Sequence, residues 1–329
     1  MGTATVMGTG TATTASRALA VAARAGAGVL AAGAAAAAWG VLVERGLFAV
    51  RRVRFPVLDP GSRPIRVLHL SDLHLAPWQL RKMRWVRSLA ELKPDLVVDT
   101  GDNFGHPAAL FGLQFVFDAF RGVPGAYVHG SNDYFAPIMK NPLAYLGEAK
   151  RVPKMKPGLD TAGLESFLSG ELGWANLNNS AGRAVVRGTT IDLVGVNDPH
   201  RHFDRIEHAA QALELLRGSG QEPEGPRLTI GVAHAPYRRT LDQLLELGAD
   251  VLFAGHTHGG QVRVPGGAAI VTNCDIPRWQ ASGPSLWTQG HRAAPLNVSA
   301  GIGTSIFAPV RFGVRPEATL VTLSPRSES

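Results

Sequence analysis

Beyond about residue 64, short apolar runs alternate with longer segments in which apolar residues recur at helical spacing. Each run passes directly into polar or glycine-rich residues, a pattern typical of buried strands that carry polar side chains at their carboxyl ends. The predicted strands are residues 65–70, 95–98, 125–128, 191–196, 228–232 and 251–254, and the predicted helices are residues 79–92, 108–120, 164–172, 206–215 and 241–247. Strands that alternate with helices indicate an α/β fold, whose ligand site lies beyond the carboxyl ends of the strands.

The N-terminal segment has a different pattern. Residues 25–43 contain no charged side chain and consist mostly of Ala and Gly. A helix of this length is long enough to cross a bilayer. An uncleaved membrane anchor, a cleaved export signal and a mobile leader are the three interpretations. We divide the chain into a leader (1–24), a transmembrane helix (25–43), a linker (44–63) and one domain (64–325).

Positive charges flank this segment unequally. Arg17 and Arg24 precede it, and four arginines follow it, namely Arg45, Arg51, Arg52 and Arg54. Because basic residues concentrate on the cytoplasmic side of a span, this favours a single-pass protein of the cell membrane with its domain in the cytoplasm. No strand pattern precedes residue 65, so we expect residues 64–325 to fold and work without the span.

The composition supports a sizeable core and restricts the chemistry. Apolar residues make up 45% of the chain and charged residues 18%, which excludes wholesale disorder. The one cysteine, Cys274, excludes an intramolecular disulfide and a cysteine-based zinc site. The net charge of +7 favours anionic partners such as phosphorylated substrates or an acidic membrane surface. Because the arginines are scattered along the chain, nucleic acid is not an expected partner.

Polar side chains that suit metal binding follow the predicted strands. They are Asp72, His74, Asp102, Asn103, Asn132, Asp133, Asn197, Asp198, His200, His234, His256 and His258. Imidazole and carboxylate without thiolate suit Zn, Mn, Fe or Ni. Asp72 and His74 alternate, as do His256 and His258, so each pair is expected to face one ion from an extended segment. Residues 197–200 either line the same site or form a plain turn.

The order of these motifs resembles that of the calcineurin-like metallophosphoesterases, in particular their small bacterial, membrane-associated branch. The matching motifs are Asp72-Leu73-His74, Gly101-Asp102, Gly130-Ser131-Asn132-Asp133, His234 and Gly255-His256-Thr257-His258. The resemblance spans nearly the whole of residues 64–325. It implies a four-layer α/β/β/α sandwich, in which two mixed sheets lie face to face with helices outside.

The resemblance also implies a pair of divalent metal ions as cofactors, which would be Mn, Fe, Zn or Ni. Asp72, His74, Asp102 and His258 would hold one ion. Asp102, the side chain of the third motif, His234 and His256 would hold the other, so that Asp102 bridges the two. A hydroxide shared by two such ions attacks phosphorus directly, and no covalent nucleophile is then required.

The function implied by the resemblance is hydrolysis of a phosphomonoester, phosphodiester or pyrophosphate bond in a phosphorylated small molecule or a lipid-linked substrate. A regulatory protein of the same fold, which binds the metals and has lost turnover, is the alternative. A nuclease of the same fold has only the basic charge in its favour. The sequence itself does not identify the substrate.

The third motif departs from the family pattern. An ungapped match places Ser131 where the family has its metal-binding Asn, and Asn132 where it has a His thought to protonate the leaving group. If the loop shifts by one residue, Asn132 binds the metal instead. In both cases the usual acid is missing, because an amide cannot donate a proton near pH 7. His129 either substitutes as the acid or is a strand-end histidine with a backbone partner.

Overall fold

The described part of the chain forms two mixed sheets of six strands each. A computed structural model describes residues 10–137, 158–218, 225–264 and 266–327. In sheet order, the first sheet consists of β1 (Ala49–Leu58), β12 (Glu317–Pro325), β2 (Ile65–Leu70), β3 (Leu96–Asp99), β4 (Gly125–Tyr127) and β5 (Ala175–Asn176). The second consists of β10 (Gly283–Gln289), β11 (Arg292–Val298), β9 (Val251–Ala254), β8 (Arg227–Val232), β7 (Thr189–Gly195) and β6 (Ser180–Val186).

Both sheets have a parallel centre, which explains why their central strands are near-continuous apolar runs. In the first sheet β2, β3, β4 and β5 are parallel, and β12 is antiparallel to β2. In the second sheet β7, β8, β9 and β11 are parallel, while β6 and β10 pair antiparallel at the two edges. Parallel strands end at the same edge of a sheet, so their carboxyl-terminal loops meet there.

Three apolar clusters divide the domain into four layers. One cluster lies between the sheets and combines residues of both, such as Val67 and Val98 with Ile230 and Val251. A second packs α2 (Leu80–Ser88), α3 (Leu110–Phe117) and α5 (Thr161–Glu165) on the first sheet. A third packs α6 (Ile206–Gly218) and α7 (Arg238–Glu246) on the second. The four-layer α/β/β/α sandwich is thus confirmed.

All six predicted strands and all five predicted helices are present, with shifted ends. The predicted helix 79–92 is α2 followed by a 3₁₀ turn, and helix 164–172 is the end of α5 followed by a π-helical turn. A short helix, α4 (Ser131–Tyr134), was not predicted and carries the third motif. The peripheral strands β1, β5, β6, β10, β11 and β12 were not predicted either.

The prediction of a linker over residues 44–63 is wrong, because β1 lies within it. This strand pairs in parallel with β12 along its length and forms the edge of the first sheet. Phe55, Val57 and Leu58 are buried, whereas Arg52 and Arg54 point outward. In the sequence these arginines look like a run of charges after the span, whereas in the strand they alternate with apolar residues. An edge strand also tolerates Pro56, which would be excluded from a central strand.

The helix α1 (Gly10–Leu42) projects from the sandwich. Among the described residues, one helical segment, Arg17–Gly46, is long and apolar enough to cross a membrane, and it extends beyond the predicted 25–43 at both ends. Its carboxyl-terminal end contacts the domain: the backbone N–H of Arg311 donates to Gly40 O at 3.2 Å, and Trp39 Nε1 donates to Glu44 Oε2 at 3.0 Å. Residues 17–35 of the helix are exposed.

Candidate metal centre

Six of the predicted ligands form two groups at the carboxyl ends of the strands. Asp72, His74 and His258 make up the first group, and Asp102, His234 and His256 the second; within each group the ligand atoms lie within 4.8 Å of one another. Asp102 stands between the groups. Its Oδ2 is 3.5 Å from His74 Nε2, and its Oδ1 is 3.5 Å from His234 Nε2. The carboxylate therefore has the position expected of a bridge.

The ligands converge for a different reason from the one that their spacing suggested. Asp72, His74, Asp102, His256 and His258 all have positive φ angles, between 39° and 66°. The side chains thus leave from left-handed turns and do not alternate along extended segments. Such a backbone costs about 1–3 kcal/mol per residue and is typical of functional sites.

Backbone hydrogen bonds between the loops hold these turns in place. Asp72 N donates to Gly101 O at 2.8 Å, and His74 N donates to Asp102 O at 3.0 Å. The carboxylate of the buried Asp133 accepts the N–H groups of Asp102 and Asn103 at 2.7 and 2.8 Å. Asp133 is consequently a residue that shapes the loop, whereas Asp102 is left to face the other ligands.

Two glycines make room for the ligands. A Cβ on Gly130 would lie 2.3 Å from Asp102 Oδ1 and 2.6 Å from the ring of His234. A Cβ on Gly255 would lie 1.9 Å from Ser71 Oγ and 2.7 Å from Asp72 Oδ2. The backbone of each motif thus approaches the ligands more closely than any side chain would allow.

The buried polar atoms of the site fit divalent cations. Asp72 Oδ1, His74 Nδ1 and His256 Nε2 are buried without a hydrogen-bond partner among the described residues. His74 Nε2 is 3.1 Å from His258 Nε2, as expected of two ligands that each lie about 2 Å from one ion. Unpaired carboxylate and imidazole atoms in a dry site are costly, and bound cations would remove that cost.

The charges of the two groups are strongly interdependent. Burial raises the pKa of Asp72 to about 6 and lowers the pKa of His74 to about 4. At Asp102 the effect of burial is outweighed by His234 and His74, which hold the pKa of its carboxyl well below the usual range. Burial lowers the pKa of His256 and His258 well below the usual value. His234 differs, because the carboxylates of Asp102, Asp72 and Asp198 outweigh burial and raise its pKa to about 9. Metal binding requires neutral imidazoles, so a bound ion would displace a proton from His234.

The third motif places Asn132, not Ser131, against this cluster. The backbone N–H of Asn132 donates to Asp102 Oδ1 at 2.7 Å, and its Nδ2 donates to Asp102 Oδ2 at 2.8 Å. Ser131 Oγ instead donates to Asp198 Oδ2 at 2.6 Å. A half-turn of the Asn132 amide about its terminal bond would present Oδ1 to the same space. The geometry favours the loop shifted by one residue, with Asn132 as the ligand.

His129 lies behind the cluster. Its ring is fully buried, with Nε2 2.9 Å from Glu165 Oε1 and Nδ1 3.7 Å from Asp133 Oδ2. Burial would lower its pKa, but the carboxylates of Asp133 and Glu165 outweigh burial and raise the pKa of His129 to about 9. A histidine paired with two carboxylates in this way positions Asp133. The prediction that His129 replaces the missing acid is therefore corrected.

Residues 197–200 form a turn and also border the site. Asp198 is buried and accepts the N–H of His200 at 2.9 Å, which caps a 3₁₀ turn. The rings of His200 and His256 have their centroids 4.5 Å apart. His200 Nδ1 is 2.9 Å from the Tyr237 hydroxyl, which fixes the ring beside the second ligand group. Both interpretations of this segment are therefore correct.

Two buried cations support the loops, and the sequence pattern did not reveal them. Arg311 Nη2 donates to the carbonyls of Ala300, Gly301 and Gly303 at 2.6–3.0 Å, and it lies 3.4 Å from His258 Nδ1. Lys82 Nζ donates to Leu73 O at 2.7 Å. Although Lys82 lies among other basic residues on α2, it is only 7% exposed. A lone arginine in a loop carries no sequence signal, since only the fold shows what it contacts.

Comparison with known proteins identifies the family. Residues 65–260 match the calcineurin-like phosphoesterase family, which is more than half of the 329-residue chain and includes all six ligands of the two groups. The chain belongs to the calcineurin-like phosphoesterase family. The family resemblance drawn from the motifs is confirmed, and the two ligand groups are candidates for the dimetal site of the family.

Several relatives cover most of the chain. The protein YpbG of Bacillus subtilis is 27% identical over 273 residues, which are 80% of this chain and 82% of YpbG. The phosphodiesterase YaeI of Escherichia coli is 26% identical over 291 residues, or 85% of this chain and 90% of YaeI. A Bos taurus transmembrane protein with a metallophosphoesterase domain is 26% identical over 291 residues, or 84% of this chain and 57% of that protein.

Proposed function

We propose that this protein is a dinuclear metal-dependent hydrolase of phosphomonoester, phosphodiester or pyrophosphate bonds. The observation that supports this most directly is the position of Asp102, whose two carboxylate oxygens each face a different ligand group at 3.5 Å. The first ion would be held by Asp72, His74, His258 and Asp102, and the second by Asp102, His234, His256 and Asn132.

The metal ions and the protein have separate tasks in this proposal. When bound, a pair of divalent ions supplies Lewis-acid stabilisation of the phosphoryl oxygens and a nucleophile at neutral pH. The chain fixes five of the six candidate ligands of the two groups in left-handed turns, which preorganises the backbone of the site. Tyr237 holds His200 beside His256, where the imidazole borders the space that a substrate phosphoryl group enters.

The test is to measure metal content and turnover on the same sample. The full chain, purified in neutral detergent with Mn²⁺, is expected to bind two equivalents of metal and to release p-nitrophenol from p-nitrophenyl phosphate or its bis-ester. Asp102→Asn should lose both ions and all turnover, because a missing bridge leaves two cations unscreened. Asp250→Asn is the matched control, since Asp250 lies at the opposite end of β9 and accepts Thr229 N. Two tightly bound ions in the Asp102→Asn protein would contradict the proposal.

The same assay separates the enzyme from a regulatory protein that has lost turnover. The observation in favour of the regulatory alternative is that Asn132 stands where a proton donor is expected. Two equivalents of bound metal without release of p-nitrophenol from either ester, in the presence of Mn²⁺, Fe²⁺, Zn²⁺ and Ni²⁺ in turn, would support that alternative.

We further propose that α1 anchors the protein in the cell membrane, with the phosphoesterase domain in the cytoplasm. The length and apolar composition of Arg17–Gly46 support the anchor, and the four arginines that follow support the orientation. A membrane-held enzyme of this kind would act on phosphorylated small molecules or lipid-linked phosphates, and not on nucleic acid.

A further inference from the structure

A second cavity, separate from the metal centre, lies where β1 begins. Its volume is about 330 Å³, and its walls include Arg51, Arg263, Arg315, Glu317, Ser282 and Val314. No ligand of the two metal groups lines it. Three guanidinium groups and one carboxylate therefore surround a space large enough for a small ligand.

The positive charge of the cavity is only partly neutralised. Arg51 holds Glu317 with two contacts, from Nε at 2.9 Å and from Nη2 at 2.7 Å. Arg263 donates to neutral oxygens, namely Gly259 O at 2.6 Å and Ser282 Oγ at 2.8 Å. Burial lowers the pKa of Arg263; the charge of Glu317 opposes this effect, and the charge of Arg51 adds to it. A half-buried guanidinium with five donors, to which no carboxylate of the described residues is hydrogen-bonded, favours an anionic ligand.

The third arginine joins this cavity to the end of the candidate membrane span. Arg315 Nε donates to Leu47 O at 2.9 Å, and its Nη2 donates to Phe48 O at 3.3 Å. These two residues follow directly on Gly46, where the candidate span ends. If α1 crosses the membrane, as proposed above, the cavity lies at the level of the lipid headgroups, since the headgroup layer begins where the span ends.

Apolar side chains are exposed in the loop that carries Arg263, where Arg263 and Ala269 form an antiparallel bridge. Val264, next to Arg263, is 61% exposed, and Ile270 and Val271 of the same loop are 47% and 40% exposed. The loop is tied to the segment before β12 by a bridge between Val262 and Phe312. A cationic cavity with apolar residues at its border matches a lipid, which has a phosphate and an adjacent apolar part.

We propose that this cavity binds the phosphate of an anionic phospholipid headgroup at the membrane surface, with Arg263 and Arg315 as the donors. Guanidinium groups bind phosphate oxygens in pairs of parallel hydrogen bonds, which gives orientation as well as affinity. The bound lipid would fix β1 and the loop after Gly259 on the bilayer. Because Gly259 follows His258, this contact also sets the position of the metal centre relative to the membrane.

The experiment measures binding by the full chain in neutral detergent, with metal removed. The probes are short-chain phosphatidylglycerol, phosphatidylcholine with the same acyl chains, and inorganic phosphate. Phosphatidylglycerol is expected to bind at least tenfold more tightly than either of the others. Equal affinity for phosphatidylglycerol and phosphatidylcholine would overturn the proposal, and equal affinity for inorganic phosphate and phosphatidylglycerol would show a site for soluble anions. Because no turnover is measured, the result is independent of the proposed hydrolase activity.

Variants locate the binding in this cavity. Arg263→Gln and Arg315→Gln should each weaken phosphatidylglycerol binding about tenfold or more, because each removes charge-assisted hydrogen bonds to phosphate. Arg292→Gln is the matched control, since Arg292 is an exposed arginine in the β10–β11 hairpin. Thermal unfolding without lipid checks the fold, and Arg263→Lys, which retains the charge, replaces Arg263→Gln if that variant does not fold. Unchanged affinity in the folded variants would overturn the proposal.

Discussion

Asn132 and Ser131 are neighbours in the chain, yet their side chains have different surroundings. Asn132 is hydrogen-bonded to both oxygens of Asp102, whereas Ser131 is hydrogen-bonded to Asp198. The two residues are also the two alternatives for the third motif, so a pair of single substitutions separates them. At the scale of single residues, whether Ser131 or Asn132 is the candidate ligand depends on which side chain lies beside Asp102.

Asn132→Ala is expected to weaken metal binding at the Asp102, His234 and His256 group. An amide that contacts the bridging carboxylate either binds the ion itself or orients the carboxylate, and the loss of such a contact lowers metal affinity roughly 10- to 100-fold. Titration with a chelator, followed by elemental analysis, measures this. Ser131→Ala is the matched control and should keep both ions, so an equal loss in both variants would contradict the assignment.

Asn132→His tests the other interpretation of the same position. Asn132 could instead occupy the position of the missing acid without binding metal. In that case the new histidine should accelerate the hydrolysis of esters with poor leaving groups by about 10²- to 10⁴-fold, and the rates for esters with good leaving groups should not change. We expect no such selective gain, because Asn132 contacts Asp102. Rates for an alkyl and a nitrophenyl ester, measured at equal metal content, distinguish the two results.

His129 is expected to make stability depend on pH. Its pKa is about 9 in the folded protein and about 6.5 in the unfolded chain. Protonated His129 therefore stabilises the fold fully below about pH 6.5, and this contribution is lost as the pH rises through about 9. The loss is about 3 kcal/mol. The thermal midpoint of His129→Gln should lie well below that of the wild type at pH 6.5 and approach it at pH 9.5; a constant difference would contradict the assignment.

At the scale of elements, β1 joins the N-terminal segment to the domain. The strand covers the edge of β12 and buries Phe55, Val57 and Leu58 against the core between the sheets. Its pairing also brings the end of α1 close to the loop of Arg311, which contacts His258. A domain that begins at residue 64, or near Arg54, would lose or divide an edge strand of the first sheet.

Two truncations test the role of β1. A chain that begins at residue 44 retains the strand and should be soluble, metal-loaded and as active per molecule on soluble esters as the full chain. A chain that begins at residue 59 lacks it and should aggregate or unfold, because three buried apolar side chains contribute about 1.5–3 kcal/mol each and the β12 edge is left open. Gel filtration and thermal unfolding measure both. Equal stability of the two chains would restore the linker interpretation.

At the scale of the whole molecule, α1 is the described helix that is long and apolar enough to cross a membrane. Residues 1–43 contain the apolar helix, and the described metal ligands all lie beyond residue 71. Anchoring raises the effective concentration of the site for substrates in the same bilayer and does not change the chemistry. The location and the catalysis should therefore be separable.

Membrane fractionation tests this separation. The full chain is expected in the membrane fraction after carbonate washing, and the chain that begins at residue 44 in the soluble fraction. Protease added to intact spheroplasts should leave the domain of the full chain uncleaved, because the arginines after the span favour a cytoplasmic domain. Cleavage in intact spheroplasts would reverse the orientation, and full-length protein in the soluble fraction would contradict the anchor.

The fold class, the family and the six candidate metal ligands could be predicted from the sequence alone, because these depend on local patterns. Apolar runs that end in Asp72, Asp102, His234 and His256 can be recognised without knowledge of their neighbours. β2 and β9 were predicted at their observed limits, since buried parallel strands are continuous apolar runs.

Only the tertiary structure decided which residues meet. The edge strand β1 is stabilised by its pairing with β12, more than 250 residues away, and its alternating arginines do not reveal that partner. Whether Ser131 or Asn132 is the candidate ligand depends on the distance of each side chain from Asp102. The supporting role of His129 depends on its contact with Glu165, which lies 36 residues further along the chain. Arginine and lysine side chains are usually exposed. Arg311 and Lys82 are buried here because loop carbonyls accept the hydrogen bonds that they donate. Contacts between residues distant in sequence arise from packing, and local periodicity contains no information about them.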